Sequence, residues 1–318
     1  MIFANILLAS SFLFIGDTCQ IDDTSHLNLS CYTTSKGAKH CILELDSTSD
    51  NNWLLFQPEV DFWMSNIELS VDSFLVVDQK SRTVIDVLHK QEVLDIENGG
   101  NLKCLGSIYH GMCFDQTDAS IKFVRGRSSF FNYNLIGDKI QTAVQIFKQF
   151  GVSPVYAQLL LLIESPNNPN AVSISGAVGH FQLMPEVARK YGLIVNQRRD
   201  DRRSFELSAQ AAAKLFKYYC IPSARNICEW LKIPAKENEL WFQLLALHVY
   251  NAGAGNVRKA ALLHNGVEHG TQLIKLLWHT RVGNFGNSSQ NYSQLCLASF
   301  RSFRFFLLKN SVTKQTND

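Results

Sequence analysis

Leu159-Leu160-Leu161-Leu162-Ile163-Glu164-Ser165-Pro166-Asn167-Asn168-Pro169-Asn170-Ala171-Val172-Ser173 is the stretch on which the reading of this chain turns. Just before it, Ser153-Pro154 has the form of a helix start, an N-cap residue followed by proline at the first helical position. The apolar run through Val155 and Leu159 to Ile163 continues that helix. Glu164 therefore falls at the end of an apolar helix, where two effects act in the same direction. Apolar surroundings disfavour the charged carboxylate, and the negative end of the helix dipole disfavours it further. Both raise the pKa of Glu164, which suits a general acid that must hold its proton near neutrality. On position alone, a solvated glutamate at a helix end is the plain alternative.

Outward from this segment the grammar of the chain changes once. From about Gly137 onward it is helical: Ile140, Val144 and Phe147 recur at helical spacing, and further helices are expected at Pro185–Tyr191, Phe205–Tyr219, Leu240–Tyr250, Asn256–His264 and Tyr292–Lys309. From about Ile21 to Ser129 it is strand-like. Trp53-Leu54-Leu55-Phe56, Phe74-Leu75-Val76-Val77 and Thr83-Val84-Ile85-Asp86-Val87 are short runs of β-branched and aromatic residues. Polar clusters at Asp46 to Asn52 and Asn98 to Asn101 separate them. The expected class is α+β, a mainly helical domain over 136–310 preceded by a small β-rich region over 20–135, with a polar tail at 311–318. The boundary near 135 rests on the change of period. Trp53 and Trp63 are read as core residues in preference to sugar platforms.

With 318 residues the chain can hold one large domain or two modest ones. A net charge of +2 gives no basic surface for nucleic acid and no acidic tail, so no nucleic-acid partner is expected. The first sixteen residues are uncharged and too short for a membrane span of about 20 residues. They fit a secretory signal peptide within 1–19, or a retained N-terminal anchor giving membrane association, and both imply an exported, periplasmic or envelope-associated protein. Gly16-Asp17-Thr18 is not a lipobox for Cys19. Eight cysteines suit an oxidising compartment, and the close pairs Cys104/Cys113 and Cys220/Cys228 are either small-loop disulfides or buried free thiols. There is no CxxC pair and no HExxH-like spacing, so neither a metal nor a cofactor is expected.

Several blocks occur in a telling order. Glu164-Ser165, Pro169, Ala171 and Ser173 are followed by Gly176-Ala177-Val178-Gly179, Gln182-Leu183-Met184-Pro185 and Ala188-Arg189, and later by Tyr250-Asn251-Ala252-Gly253-Ala254-Gly255 with Val257-Arg258-Lys259-Ala260. Together they resemble the signature of the Slt-type lytic transglycosylases. Asp200-Asp201-Arg202-Arg203-Ser204, with Ser208 and Ala211-Ala212, resembles a stretch of the membrane-bound D-type branch. The chain departs from the pattern at Asn167, where an aromatic is usual, at His180, where an apolar residue is usual, and at Ala254, where proline is common. Ser289 and Gln290 replace the acidic residue and threonine of a late motif that ends in Tyr292.

The resemblance implies a lysozyme-like catalytic domain acting on peptidoglycan glycan strands, with Glu164 as single acid and base. It implies substrate-lining positions at Ser173, Gln182, Met184, Tyr250, Asn251 and Tyr292. Apart from it, the residues suggest positive φ or close approach at Gly176 and Gly179. They also suggest a helix junction at Tyr250–Gly255, an ion-pair or solvated cluster at Arg202 and Arg203, a packed or solvent-facing His180, and no role for Glu186. Two rivals remain. A goose-type muramidase would need a water and a second acid such as Asp200 or Asp201, and a binding or envelope-assembly module would keep the fold without turnover. The apolar segment Phe300 to Leu308 is expected to pack on the catalytic domain. Oligomeric state is not legible.

Overall fold

The computed structural model describes residues 29–33, 39–45, 56–78, 83–89, 91, 121–128, 131, 133, 136–164, 168 and 170–311. The expectations for 1–19, Trp53, Cys104/Cys113, Asn167 and the tail at 312–318 lie outside these residues. The class is α+β, as expected: helices predominate, and a small antiparallel β region lies at the N-terminal side.

Strands β1 (Leu29–Thr33) and β2 (Lys39–Leu43) form an antiparallel hairpin, with Cys31 opposite Cys41. A disulfide joins those two cysteines. Strands β3 (Phe74–Asp78), β4 (Thr83–Leu88) and β5 (Ile121–Arg125) form a second antiparallel sheet in the order β4-β3-β5. Between the two lies helix α1 (Gln57–Glu68). A strand had been expected to end at Phe56, yet Phe56 is the residue that precedes this helix. Proline in the first turn and Glu59 beside it favour a helix start. Val60, Trp63, Met64 and Ile67 then recur at the three-to-four spacing of a helix face, a signal masked by the β-rich composition around it.

The helical part comprises α2 (Gly137–Gln149), α3 (Pro154–Ile163), α4 (Pro185–Lys190), α5 (Phe205–Leu215), α6 (Ile221–Leu231), α7 (Leu240–Ala252), α8 (Ala254–Leu262), α9 (Gly270–His279) and α10 (Asn287–Asn310). Every residue of α3, and Leu240 through Val249 of α7, is buried. Helices apolar on all sides belong at the centre of a core, and both of these lie in one buried cluster. Helix α9 had not been anticipated, although Leu273, Ile274, Leu277 and Trp278 form its buried face.

The helix expected to stop at Tyr219 continues to Leu231 through a π turn at Phe216–Cys220. Pro222 has no N–H to continue the ordinary ladder. The wider turn absorbs it, and the Ile221 N–H bonds Phe216 O five residues back. Cys220 and Cys228 lie on this continuous helical stretch, about 12 Å apart along the axis at 1.5 Å per residue. A disulfide needs Cα atoms within about 7 Å. Both thiols are accordingly free and buried, so of the two readings the free-thiol one holds.

The β-rich region shares its packing with the helices. Ile42, Leu43, Phe56, Val60 and Ile67 belong to the same buried cluster as α3 and α7. Gln158, fully buried on α3, accepts from Leu43 N–H at 2.9 Å and donates to Leu43 O at 2.9 Å, so its amide acts as one more strand partner for β2. Helix α1 lies along α10, where Trp63 Nε1 donates to Gln294 Oε1 at 2.9 Å and Asp61 pairs with Arg301. Trp63 is thus a packing residue, as expected. On α10, Phe300, Phe303 and Leu307 are buried, which fulfils the packing expected of that segment. No helix among the described residues is long and apolar enough to cross a membrane.

Candidate active site

Glu164 caps the C-terminal end of α3, its N–H bonded to Leu160 O at 2.9 Å. Its carboxylate is partly buried, and Tyr292 of α10 donates its hydroxyl to Oε1. Burial pushes the pKa of Glu164 up to about 7, while the Tyr292 hydrogen bond pulls it down. The charge of Glu164 in turn helps to raise the pKa values of Tyr250, Tyr292 and Cys296, for each of which burial is the larger cause. Both phenols therefore stay protonated, able to donate but not to act as bases near neutral pH.

Tyr250, near the end of α7, is fixed by aromatic stacking. Its ring lies on Phe216 at 5.1 Å and 11°, and Phe216 lies on Tyr156 at 4.3 Å and 24°. Its hydroxyl donates to Phe181 O at 2.5 Å, joining α7 to the loop that follows α3. Gly253, at φ 76°, separates α7 from α8 and makes the helix junction expected at Tyr250–Gly255. Asn251 is exposed at that junction.

The loop from Asn170 to Met184 is stitched to itself. Val178 bridges to both Val172 and Leu183, and Ser173 N–H bonds Ala177 O at 2.9 Å. Ser173 Oγ accepts from Ala177 N–H at 2.9 Å, and Gln182 Nε2 donates to Gly179 O at 2.8 Å. These two predicted substrate-lining side chains thus also shape the loop that carries them. Met184 is the partly buried residue that precedes α4. Glu186, in the first turn of α4, is exposed.

Arg202 underlies the loop. Its guanidinium makes two bonds to Asp200, at 2.8 and 2.7 Å, and Nη1 donates to Gly176 O at 2.9 Å and Leu183 O at 3.0 Å. Gly179, at φ 81°, passes so close that a Cβ there would lie 2.2 Å from Arg202 O. Both a positive φ and a close backbone approach therefore require glycine at 179. Asp201 accepts from Arg199 Nε at 2.6 Å and from Ile194 N–H at 2.8 Å. These bonds hold the carboxyls of Asp200 and Asp201 below the usual carboxylate range; for Asp200 the Arg202 side chain is the largest cause, and for Asp201 the Ile194 N–H is.

His180 is packed: it is 2% exposed, meets Phe205 edge to face at 5.1 Å, and accepts from Lys139 Nζ at 2.8 Å through Nε2. Burial and the nearby ammonium push its pKa down to about 4, so it remains neutral. A groove of about 660 Å³ between α1 and the far half of α10 is lined by Met64, Phe131, Tyr133 and Phe305, and none of the candidate site residues lines it. No group of three or more His, Cys, Asp or Glu side chains able to hold a metal occurs among the described residues.

Glu164, Tyr250 and Tyr292 are brought together from three segments widely separated in sequence, with Gln182 and Ser173 on the loop beside them. A carboxyl with a raised pKa, bonded by one phenol, thus lies at the end of a buried helix in a mainly helical α+β fold. Residues 142–269 match the family model described as Transglycosylase SLT domain. Membrane-bound lytic murein transglycosylase D of Escherichia coli strain K12 is 30% identical over 107 residues, which cover 34% of this chain and 20% of that protein. The counterpart from Escherichia coli O6:H1 matches to the same extent. The chain thus aligns with one fifth of the length of these curated relatives. Among solved structures, an inactive mutant of lytic transglycosylase Slt from Pseudomonas aeruginosa is 20% identical, covering 54% of this chain and 24% of that one with a TM-score of 0.36.

Proposed function

We propose that this protein is a lytic transglycosylase that cleaves the β-1,4 bond between N-acetylmuramic acid and N-acetylglucosamine in peptidoglycan, with Glu164 as its single acid and base. The observation that carries the reading is Glu164 itself, a carboxyl with a pKa raised to about 7 by burial, inside the stretch that matches the SLT domain.

Glu164 protonates the glycosidic oxygen as the bond breaks, and the substrate's own N-acetyl group assists at the anomeric carbon. The ionised Glu164 then takes the proton of the muramoyl C6 hydroxyl, whose oxygen attacks the anomeric carbon and closes a 1,6-anhydro ring. Since the nucleophile belongs to the same sugar, its effective concentration is high and no catalytic water is needed. Tyr292 acts on the middle of this sequence. Its hydroxyl stabilises the carboxylate that exists between the two proton transfers, and it occupies Oε1, leaving Oε2 for substrate. Tyr250, Asn251, Ser173, Gln182 and Met184 would line the sugar sites.

Most glycosidases pair two carboxylates. A hydrolytic muramidase would draw its second one from Asp200 or Asp201, and both of these are tied to arginines and held ionised. That favours the transglycosylase over the hydrolase. Residues 136–310 are taken as the catalytic unit, 20–135 as a region packed against it, and the N-terminal segment as the export signal or anchor of an envelope protein. Digestion of purified peptidoglycan by wild type and Glu164→Gln, with mass spectrometry of the soluble fragments, tests the proposal. Anhydromuramoyl ends from the wild type alone are expected. Fragments with reducing ends would assign a hydrolase, and binding of sacculi without release by either protein would assign a binding module.

A further inference from the structure

Behind the two tyrosines runs a buried polar chain that the proposed chemistry does not use. Trp278 of α9 donates Nε1–H to Ser293 Oγ at 2.7 Å, and Ser293 Oγ lies 2.8 Å from His248 Nε2 on α7. All three residues are fully buried. The indole can only donate, so Ser293 accepts there, and a neutral imidazole at His248 can either accept the Ser293 proton at Nε2 or donate to the hydroxyl's second lone pair. Burial lowers the pKa of His248 to about 4, which keeps the imidazole neutral.

The placement of the chain gives it its meaning. Ser293 is the neighbour of Tyr292 on α10, and His248 lies two residues before Tyr250 on α7. Successive helical residues turn by about 100°. While Tyr292 faces Glu164 on α3, Ser293 therefore faces α7 and α9. We propose that Trp278, Ser293 and His248 are positioning residues, whose hydrogen-bond chain locks the register of α10 against α7 and so aims the Tyr292 hydroxyl at Glu164. An apolar helix interface tolerates small slides and repacking. Here a slide would leave an indole N–H, a hydroxyl and an imidazole nitrogen unpaired in the core, which is costly. Only a narrow range of registers satisfies all three.

The titratable groups facing Glu164 are Tyr292 and Cys296 from α10 and Tyr250 from α7. Of the other elements packed on α3, α2 carries Lys139, engaged with His180, and the exposed Lys148, while β2 carries His40 and Lys39. Cys296 and Tyr250 stay protonated, which leaves the Tyr292 bond as the contact through which α10 lowers the Glu164 pKa.

The inference rests on Glu164 being the working acid, but its test requires no turnover. Isotope-edited NMR follows the Glu164 carboxyl titration in the full chain of wild type, Ser293→Ala, Ser293→Thr, Tyr292→Phe and the double variant Tyr292→Phe/Ser293→Ala. Ser293→Ala is expected to move the midpoint upward by about half a pH unit, toward that of Tyr292→Phe. Ser293→Thr, which keeps the hydroxyl, should titrate as wild type, and Ser293→Ala should add nothing once Tyr292 is gone. On peptidoglycan, kcat of Ser293→Ala should fall about tenfold with KM nearly unchanged. If Ser293→Ala fails to fold, His248→Gln, which keeps an acceptor for Ser293, and His248→Leu repeat the comparison. A variant that melts earlier yet titrates as wild type, or a double variant whose shifts add, would overturn the inference. Absence of turnover in the wild type together with the expected titrations would count against the transglycosylase reading and leave the positioning role standing.

Discussion

Glu164 has a phenol as its hydrogen-bond partner and sits at the end of an apolar helix, whereas Asp200 and Asp201 are each bonded to an arginine a few residues away. The first arrangement raises a carboxyl toward neutrality, and the second holds two carboxyls ionised. The acid that keeps its proton is free to give it away. The acids that lose theirs build the loop, because Asp200 orients Arg202, and Arg202 in turn binds the Gly176 and Leu183 carbonyls. In the proposed function, chemistry and scaffolding thus use the same functional group in opposite environments.

Substitution of Glu164 separates the two environments most decisively. Glu164→Gln should lower turnover by at least about 10³-fold, given that one residue serves both proton transfers. In the wild type, activity should decline as pH rises through about 7, where the general acid loses its proton. The stability that this carboxyl contributes should fall in the same direction. A pKa raised on folding contributes stability that is present below the unfolded value and lost as pH rises through the folded one. Glu164→Gln should therefore melt higher than wild type at pH 8, by on the order of 2–3 kcal/mol, and close to wild type at pH 5. Thermal denaturation at the two values checks this.

At the other pole, Arg202→Met leaves Asp200 without its cation and two loop carbonyls without their donor. A loss of about 3 kcal/mol in urea denaturation is expected. Gly179→Ala should destabilise by about 2 kcal/mol, since it combines a positive φ with a collision against Arg202 O. The smallest expected effect comes from the histidines. His180 and His248 have folded pKa values near 4, below the usual 6.5. The stability they permit is present above 6.5 and lost as pH falls toward 4. His180→Phe should flatten part of that acid slope in a melting-temperature series, with His248 accounting for the remainder.

The helical half was largely legible because periodicity and motif agreed there. Glu164 could be singled out only when its position after Leu160-Leu161-Leu162-Ile163 was joined to the family-like blocks around it, and Tyr292 from its place in a degraded motif. That Tyr292 would bond Glu164 itself was not readable, since the two lie 128 positions apart and only the packing of α10 on α3 joins them. Helix α1 was misread because its apolar spacing was overlooked among strand-like neighbours. The Cys31–Cys41 bond went unnoticed because closeness in sequence drew attention to Cys220 and Cys228, which a rigid helix keeps apart. The helix expected to end at Tyr219 runs on to Leu231, because a π turn carries it past Pro222. Gln158 gave no sequence signal at all: a buried amide that satisfies a strand edge is visible only once β2 lies beside α3.

The central claim is that one carboxylate, without a catalytic water, performs the cleavage. Digestion of peptidoglycan in heavy-oxygen water, followed by mass spectrometry of the newly formed muramoyl ends, tests it most directly. Ring closure by the sugar's own hydroxyl predicts ends that carry no solvent oxygen and are lighter by one water. Heavy oxygen incorporated at those ends during turnover would show that water is the nucleophile and contradict the account.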